Sequence, residues 1–438
     1  MRRPKIKALL KRKIGKFQIS TWLILFFVFC GLAALFGFFF VRRELVQYEV
    51  GHTFGVRDSA FFGSAHALGD PIPIPGNKIT LLQNGDEIFP EMLKAIRSAR
   101  QTINFEAYIF HSGKVGSQFM EAFRERAKAG VEVRLLLDGL GSSTKLDNKE
   151  VAELEKAGCR VAYFHPTRSL RIDRANRRTH RRLMIVDGKL GFTGSVGFDD
   201  LWSGNAESAA HWRDMHARVE GPLVGKLQGA FQQHWAMETH EALTGKGQFP
   251  ELSDAGTLKA QMTASHDYSI APLALTQAVA IAAAEKSIFI TNPYCTPSDA
   301  LKKGLIDAAK RGVDVEILVP GKHNDVPATK AAGRSAYGDL LEGGVKIFEY
   351  EPTMIHTKSL VVDGIFTLFG TSNLDARSSE INEELDISVY DEGFSEELVK
   401  IFKTDLTKAK PYTSAQFKER GVWERVSEWL TIPFRSQM

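Results

Sequence analysis

Cysteine is scarce in this chain of 438 residues, and its few copies have no useful spacing. The three cysteines are Cys30, Cys159 and Cys295. Residues this far apart form neither a disulfide framework nor a cysteine metal site, although the sequence leaves open whether Cys159 and Cys295 pair. His, Asp and Glu also lack the spacing of a metal-ligand cluster, so we predict no metal and no cofactor.

Charge is missing from two adjoining parts of the N-terminal region. Residues 1–17 contain no acidic residue but eight Lys or Arg, and residues 21–41 contain no charged residue at all. An uncharged run of this length is about what is needed to cross a bilayer. A cleavable signal peptide is the alternative, but its apolar region would be shorter and would end in a small-residue cleavage site. We therefore predict a transmembrane anchor at residues 21–41 after a basic cytoplasmic tail, residues 1–20.

The distribution of charge predicts the orientation of this anchor. Arg42, Arg43 and Arg57 follow the anchor, fewer than the eight basic residues that precede it, so the positive-inside rule places the remainder of the chain outside the cytoplasm. The whole chain carries +4 and the tail +8, which leaves −4 on the remainder. An acidic body argues against broad binding of polyanions such as nucleic acid. The tail either binds anionic lipid headgroups or serves only as a topology signal.

Two windows of the chain share an unusual polar pattern. Residues 356–375 read HTKSLVVDGIFTLFGTSNLD, and residues 180–200 read HRRLMIVDGKLGFTGSVGFDD. In the second copy, His356 and Lys358 leave the same face of a strand, an apolar run follows, and Asp363 and Gly364 close it with a turn. An imidazole, a cation and small hydroxyl and amide donors at one strand end make a suitable site for a phosphoryl anion.

The duplication extends well beyond these windows. Residues 129–137 match residues 311–319, and the second residue of each is a helix C-cap glycine that precedes a buried strand. Matching strands are predicted at residues 103–110 and 288–294, and matching helices at residues 87–99 and 273–284. The order indicates an α/β layered unit used twice. The predicted divisions are a linker (42–77), a first lobe (78–245), a connector (246–264), a second lobe (265–410) and a C-terminal amphipathic segment (411–438).

At these residues the sequence resembles the phospholipase D superfamily, whose signature is His-x-Lys-x-x-x-x-Asp followed by Gly-Ser/Thr and a small or amide residue. The second copy fits completely, whereas the first has Arg182 for the lysine and Gly197 for the usual asparagine. Residues 212–222, 350–354 and 375–384 resemble bacterial cardiolipin synthase-like proteins more closely. The resemblance implies two tandem phospholipase D-like α/β/α lobes related by a pseudo-twofold axis.

The resemblance also implies a two-step, metal-independent phosphoryl transfer through a phosphohistidine. It makes His180 the nucleophile and His356 the acid, with the reverse assignment open. The predicted catalytic set is His180, His356, Lys358, Arg182, Asp187 and Asp363, and the predicted substrate-binding set is Ser195, Ser372, Asn373 and Glu384. Asp187 and Asp363 lie seven residues after each histidine, an offset that favours a structural role in the turns. Glu384 and Glu106 are candidates for orienting the opposing histidines, and residues 212–216 are interpreted as a structural strand.

The function expected from this resemblance is a membrane-anchored phosphatidyltransferase that forms cardiolipin from phosphatidylglycerol. A hydrolase of phospholipid or of nucleic acid is the alternative, and a binding protein with a decayed site is a third possibility. The expected partners are a phospholipid and the membrane, with nucleic acid disfavoured. The expected location is the bacterial cell membrane, with one span and the catalytic region on the extracytoplasmic side.

The C-terminal run, residues 420–434, places Trp423, Val426 and Leu430 on one helical face, with Trp429 nearby. This pattern fits either an interfacial helix that lies on a membrane or a terminal helix packed on the second lobe.

Overall fold

A computed structural model of the protein describes residues 21–32, 46–166, 176–265 and 270–431. These residues fall in two units, one within residues 1–45 and one within residues 46–436, which are described separately. In the first unit, residues 21–32 are helical. Within the described ranges, no helix is both long enough and apolar enough to span a membrane. The remainder of the predicted anchor, residues 33–41, and the predicted tail lie outside the described residues.

In the described part of the second unit, fifteen strands form a sheet. The strands are β1 (Ile74–Gln83), β2 (Thr102–Ala107), β3 (Glu132–Asp138), β4 (Arg160–Phe164), β5 (Leu183–Val186), β6 (Leu190–Gly194), β7 (Met215–Glu220), β8 (Leu258–Ala264), β9 (Ser287–Thr291), β10 (Asp314–Pro320), β11 (Lys346–Tyr350), β12 (Ser359–Val362), β13 (Phe366–Gly370), β14 (Leu385–Tyr390) and β15 (Ala409–Tyr412). Their order across the sheet is β15-β11-β10-β9-β12-β13-β14-β8-β1-β7-β6-β5-β2-β3-β4.

Helices cover both faces of this sheet, which is why its inner strands are apolar on both sides. The α-helices of the second unit are Ala60–Ala65, Asn84–Ser98, Lys114–Lys128, Asn148–Lys156, Leu223–Thr239, Pro272–Ala282, Asp299–Lys310, Pro327–Glu342, Ala376–Glu380, Glu392–Leu406, Ser414–Glu419 and Val422–Thr431.

The strand order shows the duplication directly. Strands β1 to β7 form one half, and strands β8 to β14 repeat the same order in the other half. In each half the outer strands are parallel and the inner ones antiparallel. Strand β1 pairs with both β7 and β8 and so joins the halves. The predicted α/β fold with two lobes is therefore confirmed.

Two predicted boundaries need correction. Strand β8 lies wholly within the predicted connector, residues 246–264, and pairs with β14, so the sheet of the second lobe begins at Leu258. The predicted linker is also partly core, because the Phe61 ring packs 4.9 Å from the Phe366 ring and is almost completely buried. Both segments have mixed polar sequences. Their apolar residues can be recognised as part of the core only when their partners in the second lobe are known.

Three apolar clusters hold the unit together. One lies mainly in the first lobe, around Phe105 and Phe119, and a second lies mainly in the second lobe, around Ile317 and Phe366. The third combines residues of both lobes, among them the Trp235 side chain. Because fully burying an aromatic side chain contributes roughly 1.5–3 kcal/mol, this shared cluster fixes the lobes against each other.

Matching turns close the hairpins that follow the two motif histidines. Asp187 and Gly188, and likewise Asp363 and Gly364, have φ between 52° and 65°, as a tight type I′ turn requires. The carboxylate of Asp187 accepts hydrogen bonds from the backbone amides of residues 100–102, and that of Asp363 from residues 285–287. Both aspartates thus lie at the opposite end of their strand from the histidine. This placement fits the expected structural role and removes them from the catalytic set.

Candidate active site

Each motif histidine lies just before a strand and is tied by its backbone to the other lobe. The His180 amide donates to the Glu383 carbonyl (2.8 Å), and the His356 amide donates to the Arg213 carbonyl (2.7 Å). Isolated bridges join Thr179 to Glu383 and Arg213 to Ile355. The two histidines therefore lie at the junction of the lobes, where each lobe supports the histidine of its partner.

His180 is held between a carboxylate of the second lobe and a cation of its own motif. Its Nδ1 lies 2.8 Å from Oε1 and 2.9 Å from Oε2 of Glu384. Nη2 of Arg182 lies 2.9 Å from Nε2, and Nη1 donates to the His180 carbonyl. These partners assign the proton to Nδ1 and leave a lone pair on Nε2. The Tyr108 ring stands edge-on to the imidazole, with centroids 5.2 Å apart.

His356 has the same arrangement with the lobes exchanged. Its Nδ1 lies 2.8 Å from Oδ2 of Asp214, a residue of the first lobe. Nζ of Lys358 lies 3.0 Å from Nε2 and 2.9 Å from the His356 carbonyl oxygen. The rings of Trp202 and Tyr294 surround the imidazole, with centroids 5.3 and 6.1 Å from it. Both histidines thus present Nε2 to a cation, which is the geometry expected around a phosphoryl group.

The two supporting carboxylates are themselves fixed by hydroxyl and indole donors. Asp214 accepts hydrogen bonds from Oγ of Ser195 and from Nε1 of Trp202 (2.7 Å). Glu384 accepts from Oγ1 of Thr371 (2.6 Å) and Oγ of Ser378 (2.7 Å). Sequence reasoning identified Glu384 as an orienting candidate but missed Asp214. The signal was present, because each of these residues stands directly before the equivalent strand, β7 or β14.

Trp202 also accounts for the glycine that departs from the superfamily signature. A Cβ atom at Gly197 would lie 2.8 Å from the Trp202 ring. The indole therefore occupies the space that an asparagine side chain would need. Its Nε1–H donates a hydrogen bond to Asp214. In the first copy this space is therefore filled by an indole that orients a carboxylate, whereas in the second copy it is filled by an amide side chain.

Burial and neighbouring cations set the protonation of the site. Burial, together with the charges of Arg182 and Lys358, lowers the pKa of His180 well below its ordinary value. Burial and Lys358 lower the pKa of His356 to about 4, and burial lowers the pKa of Lys358 to about 7. Both imidazoles are therefore neutral near pH 7. An anionic phosphate beside them would raise both pKa values, since it favours the charged form.

The two carboxylates differ in protonation. Burial alone would raise the pKa of Asp214, but the His356 imidazolium that forms at low pH, the hydrogen bond of this ring and the charge of Lys358 outweigh it, so the pKa lies well below the ordinary value. Burial raises the pKa of Glu384 to about 7, and the hydrogen bonds from Thr371 and Ser378 offset only part of this effect. Asp214 is thus ionised at pH 7, whereas Glu384 is close to half protonated.

The predicted substrate-binding residues take different positions. Ser195 donates to Asp214, Ser372 donates to Asp386, and Glu384 holds His180, so these three side chains are used within the protein. The side chain of Asn373 makes no hydrogen bond within the described ranges, and its buried Oδ1 lacks a partner there. Asn373 is therefore the member of the set whose amide is available to a ligand.

Glu106, the other orienting candidate, does not contact a motif histidine. Its Oε1 lies 2.6 Å from Nδ1 of His234 and accepts a hydrogen bond from the Thr179 hydroxyl. The expectation that it orients a motif histidine was wrong, because the buried His234 of the helix Leu223–Thr239 takes that carboxylate.

A duplicated sheet unit that brings two such histidine and cation pairs to the junction of its lobes defines the phospholipase D class of enzymes. Residues 92–235 and 278–406 match the family described as cardiolipin synthase, PLD-like domain. A probable cardiolipin synthase of Bacillus subtilis, YwiE, is 32% identical over 89% of this chain and 78% of its own length. The chain belongs to the cardiolipin synthase family and is a phosphatidyltransferase of the phospholipase D superfamily.

Other relatives agree with this assignment. The major cardiolipin synthase ClsA of Bacillus subtilis is 33% identical over 80% of this chain and 73% of its own length. Among solved structures, the phosphatidylserine synthase of Haemophilus influenzae Rd KW20 matches with a TM-score of 0.66, covering 84% of this chain and 97% of that chain. At 14% identity that match supports the fold alone. The predicted resemblance is confirmed, and the chain is a phospholipid-synthesising enzyme.

Proposed function

We propose that this protein joins two molecules of phosphatidylglycerol into cardiolipin, through a phosphatidyl group carried on His180. One observation carries the proposal: each of two buried imidazoles is held at Nδ1 by a carboxylate of the opposite lobe and faces a cation at Nε2. The similar proteins are named cardiolipin synthases, so cardiolipin is the first product to test for.

In the first step, Nε2 of His180 attacks the phosphorus of one phosphatidylglycerol molecule. The anionic phosphate of the bound lipid raises the pKa of His356, which therefore takes up a proton at Nε2 before the reaction. The bond from phosphorus to the headgroup glycerol oxygen breaks, and His356 gives this proton to that oxygen, which releases glycerol. Arg182 and Lys358 bind the non-bridging oxygens, and the Asn373 amide adds a neutral donor. Charge-assisted donors in a dry site contribute roughly 2–4 kcal/mol each to the transition state.

In the second step, a headgroup hydroxyl of another phosphatidylglycerol molecule attacks the same phosphorus. His356, now neutral, accepts the proton of that hydroxyl, and the bond from phosphorus to His180 breaks. Cardiolipin leaves, and His356 again carries its proton for the next turnover. Because both lipids reach the site from a bilayer surface, the local concentration of the second headgroup favours transfer over hydrolysis.

The two supporting carboxylates favour this division of roles. The ionised Asp214 stabilises an imidazolium at His356, as a proton donor requires. Glu384 has a pKa of about 7 and stabilises an imidazolium at His180 less, which favours the neutral nucleophile.

The experiment that tests this function uses the purified full chain in vesicles of acyl-labelled phosphatidylglycerol. We expect labelled cardiolipin and free glycerol, with little phosphatidic acid. Predominant phosphatidic acid would instead establish a phospholipase. Phosphatidylethanolamine is added in a parallel reaction as a second possible donor, single-stranded DNA tests the nuclease alternative, and the His180→Ala variant is the control.

The proposed location is the bacterial cell membrane, with residues 21–41 as the anchor and the catalytic unit outside the cytoplasm. The basic residues that precede the run support this orientation. A reporter active only outside the cytoplasm, fused after Met438, should be active. Activity of a cytoplasmic reporter at the same position would contradict the orientation.

A further inference from the structure

The helix Val422–Thr431 is oriented with its apolar face toward solvent. Trp423, Trp429 and Val422 are 84%, 68% and 73% exposed, and Leu430 and Val426 are 55% and 38% exposed. Two polar residues of this helix, Glu428 and Thr431, are the buried ones. A helix that belongs to a protein core has the opposite orientation, with its apolar stripe inside.

Polar contacts hold the helix in this orientation. The buried Glu428 carboxylate forms an ion pair with Arg420 (3.0 Å), and Glu424 forms one with Arg334 (3.2 Å), which lies on the helix Pro327–Glu342 of the second lobe. The guanidinium of Arg425 donates to the Lys418 carbonyl (2.7 Å). The helix therefore packs on the second lobe by its polar side, and its apolar side is presented outward by specific contacts.

The residues of this face indicate what covers it. At 100° per residue the five apolar side chains occupy a continuous arc of about 120°, opposite Glu428. They expose on the order of 500 Å² of apolar surface, less than the roughly 800 Å² per partner that a stable protein interface buries. Two tryptophans beside the exposed cations Lys418 and Arg425 are the composition of a helix at a membrane surface, where indole rings lie at headgroup depth and cations attract anionic lipid.

We propose that the apolar face formed by Val422, Trp423, Val426, Trp429 and Leu430 lies in the interface of a bilayer that contains anionic phospholipid. It is a lipid contact of the catalytic unit itself, separate from residues 21–41. The inference rests on the proposed function in one respect, that the substrate is a membrane phospholipid. The helix would hold the second lobe at the surface from which that substrate comes.

A depth measurement tests the contact without turnover. A fluorophore is placed at Val426→Cys in the full chain, in a Cys30→Ser background, because Cys159 and Cys295 are buried. In vesicles with anionic lipid, we expect brominated acyl chains to quench this label at least threefold more than a label at Lys149→Cys, an exposed position of the first lobe. Equal quenching at the two positions would overturn the proposal. Self-quenching that disappears on dilution with unlabelled chain would also overturn it, in favour of a second copy.

Activity provides a second readout that separates this proposal from the function. The Trp423→Ala/Trp429→Ala variant changes only exposed side chains, so its fold should be intact. We expect a roughly threefold to tenfold fall in turnover of vesicle phosphatidylglycerol and an unchanged rate with a short-chain, monomeric phosphatidylglycerol. An unchanged rate on vesicles would overturn the proposal, whereas inactivity of the unmodified chain on both substrates would overturn the proposed function instead.

Discussion

The two halves of the site use one backbone plan with different chemistry. In the second half, Lys358 lies near Ser372 and Asp386, which line a cavity of about 20 Å³ with it. In the first half, the equivalent strand positions hold Arg182, Val196 and His216. Neither ring nitrogen of the buried His216 has a hydrogen-bond partner within the described ranges. The larger guanidinium is thus combined with an apolar residue and a neutral ring, and the smaller ammonium with a carboxylate.

The carboxylates that cross between the halves also differ, in their protonation. Ionised Asp214 supports His356, whereas Glu384, with a pKa of about 7, supports His180. A duplicated unit therefore need not have two equivalent histidines. We interpret this difference as the basis of the separate roles of His180 and His356.

The largest expected effect is the loss of either histidine. His180→Ala and His356→Ala should each lower turnover of phosphatidylglycerol by at least about 10³-fold, because one removes the nucleophile and the other the acid and base. His211→Ala, at a partly exposed histidine of the first lobe, is the matched control and should retain activity. More than a few per cent residual activity in His356→Ala would remove this residue from its proposed role.

The next effect separates the two carboxylates. Asp214→Asn should lower turnover about 10²- to 10³-fold, since His356 would lose the negative charge that stabilises its imidazolium. Glu384→Gln should cost about tenfold, because the amide resembles the partly protonated carboxyl that it replaces. The turnover rates of the two variants are compared at pH 7. Equal losses would mean that the two histidines are not distinguished by the charge of their supporting carboxylates.

A smaller effect is expected when one cation is exchanged for the other. Arg182→Lys should keep turnover within about tenfold, because Lys358 makes the equivalent contacts to its own histidine with a single ammonium. Adding His216→Asp should raise the turnover rate above that of Arg182→Lys alone, since it gives the first half the combination of lysine and aspartate that the second half has. Inactivity of Arg182→Lys would instead require a contact specific to guanidinium.

The smallest expected effect concerns stability and pH. Burial raises the pKa of Glu384 from 4.5 to about 7, so between these values the folded state keeps a proton that the unfolded state has lost. The contribution of Glu384 to the free energy of unfolding therefore falls as pH rises from about 4.5 to 7 and then stays at the lower value. Glutamine does not titrate. The melting temperature of Glu384→Gln relative to the unmodified protein should thus be about 1–3 °C higher at pH 8 than at pH 5, and no change in this difference would contradict the shift.

Much of the fold could be read from the sequence because the duplication supplies each element twice. The predicted strands at residues 103–110 and 288–294 correspond to β2 and β9, and the predicted helices at residues 87–99 and 273–284 correspond to Asn84–Ser98 and Pro272–Ala282. Strand β8 was missed because its alternating pattern is short and polar. Its place depends on pairing with β1 and β14, which no local pattern encodes.

The site was only partly accessible from the sequence, for a related reason. The motif spacing shows which histidine and cation belong together, since each pair lies on one strand end. It does not show that the carboxylates cross between lobes. Ser195 precedes Asp214 by 19 residues, whereas Thr371 precedes Glu384 by 13, and this difference in spacing conceals their equivalence. The crossing of the carboxylates between lobes arises from tertiary structure. It depends on the backbone hydrogen bonds that join Glu383 and Arg213 to the histidines of the opposite lobe.

The central claim, that the halves divide the chemistry with His180 as the nucleophile, can be tested by trapping. A phosphodiester with a nitrophenol leaving group needs no acid to depart, so the His356→Ala variant should still form the covalent intermediate but lack the base that activates the second alcohol. We expect one equivalent of nitrophenol in a burst, and mass spectrometry should locate the phosphoryl group on His180. The His180→Ala variant should give neither burst nor adduct. An adduct on His356 in His180→Ala, with none on His180 in His356→Ala, would contradict the account and exchange the two roles.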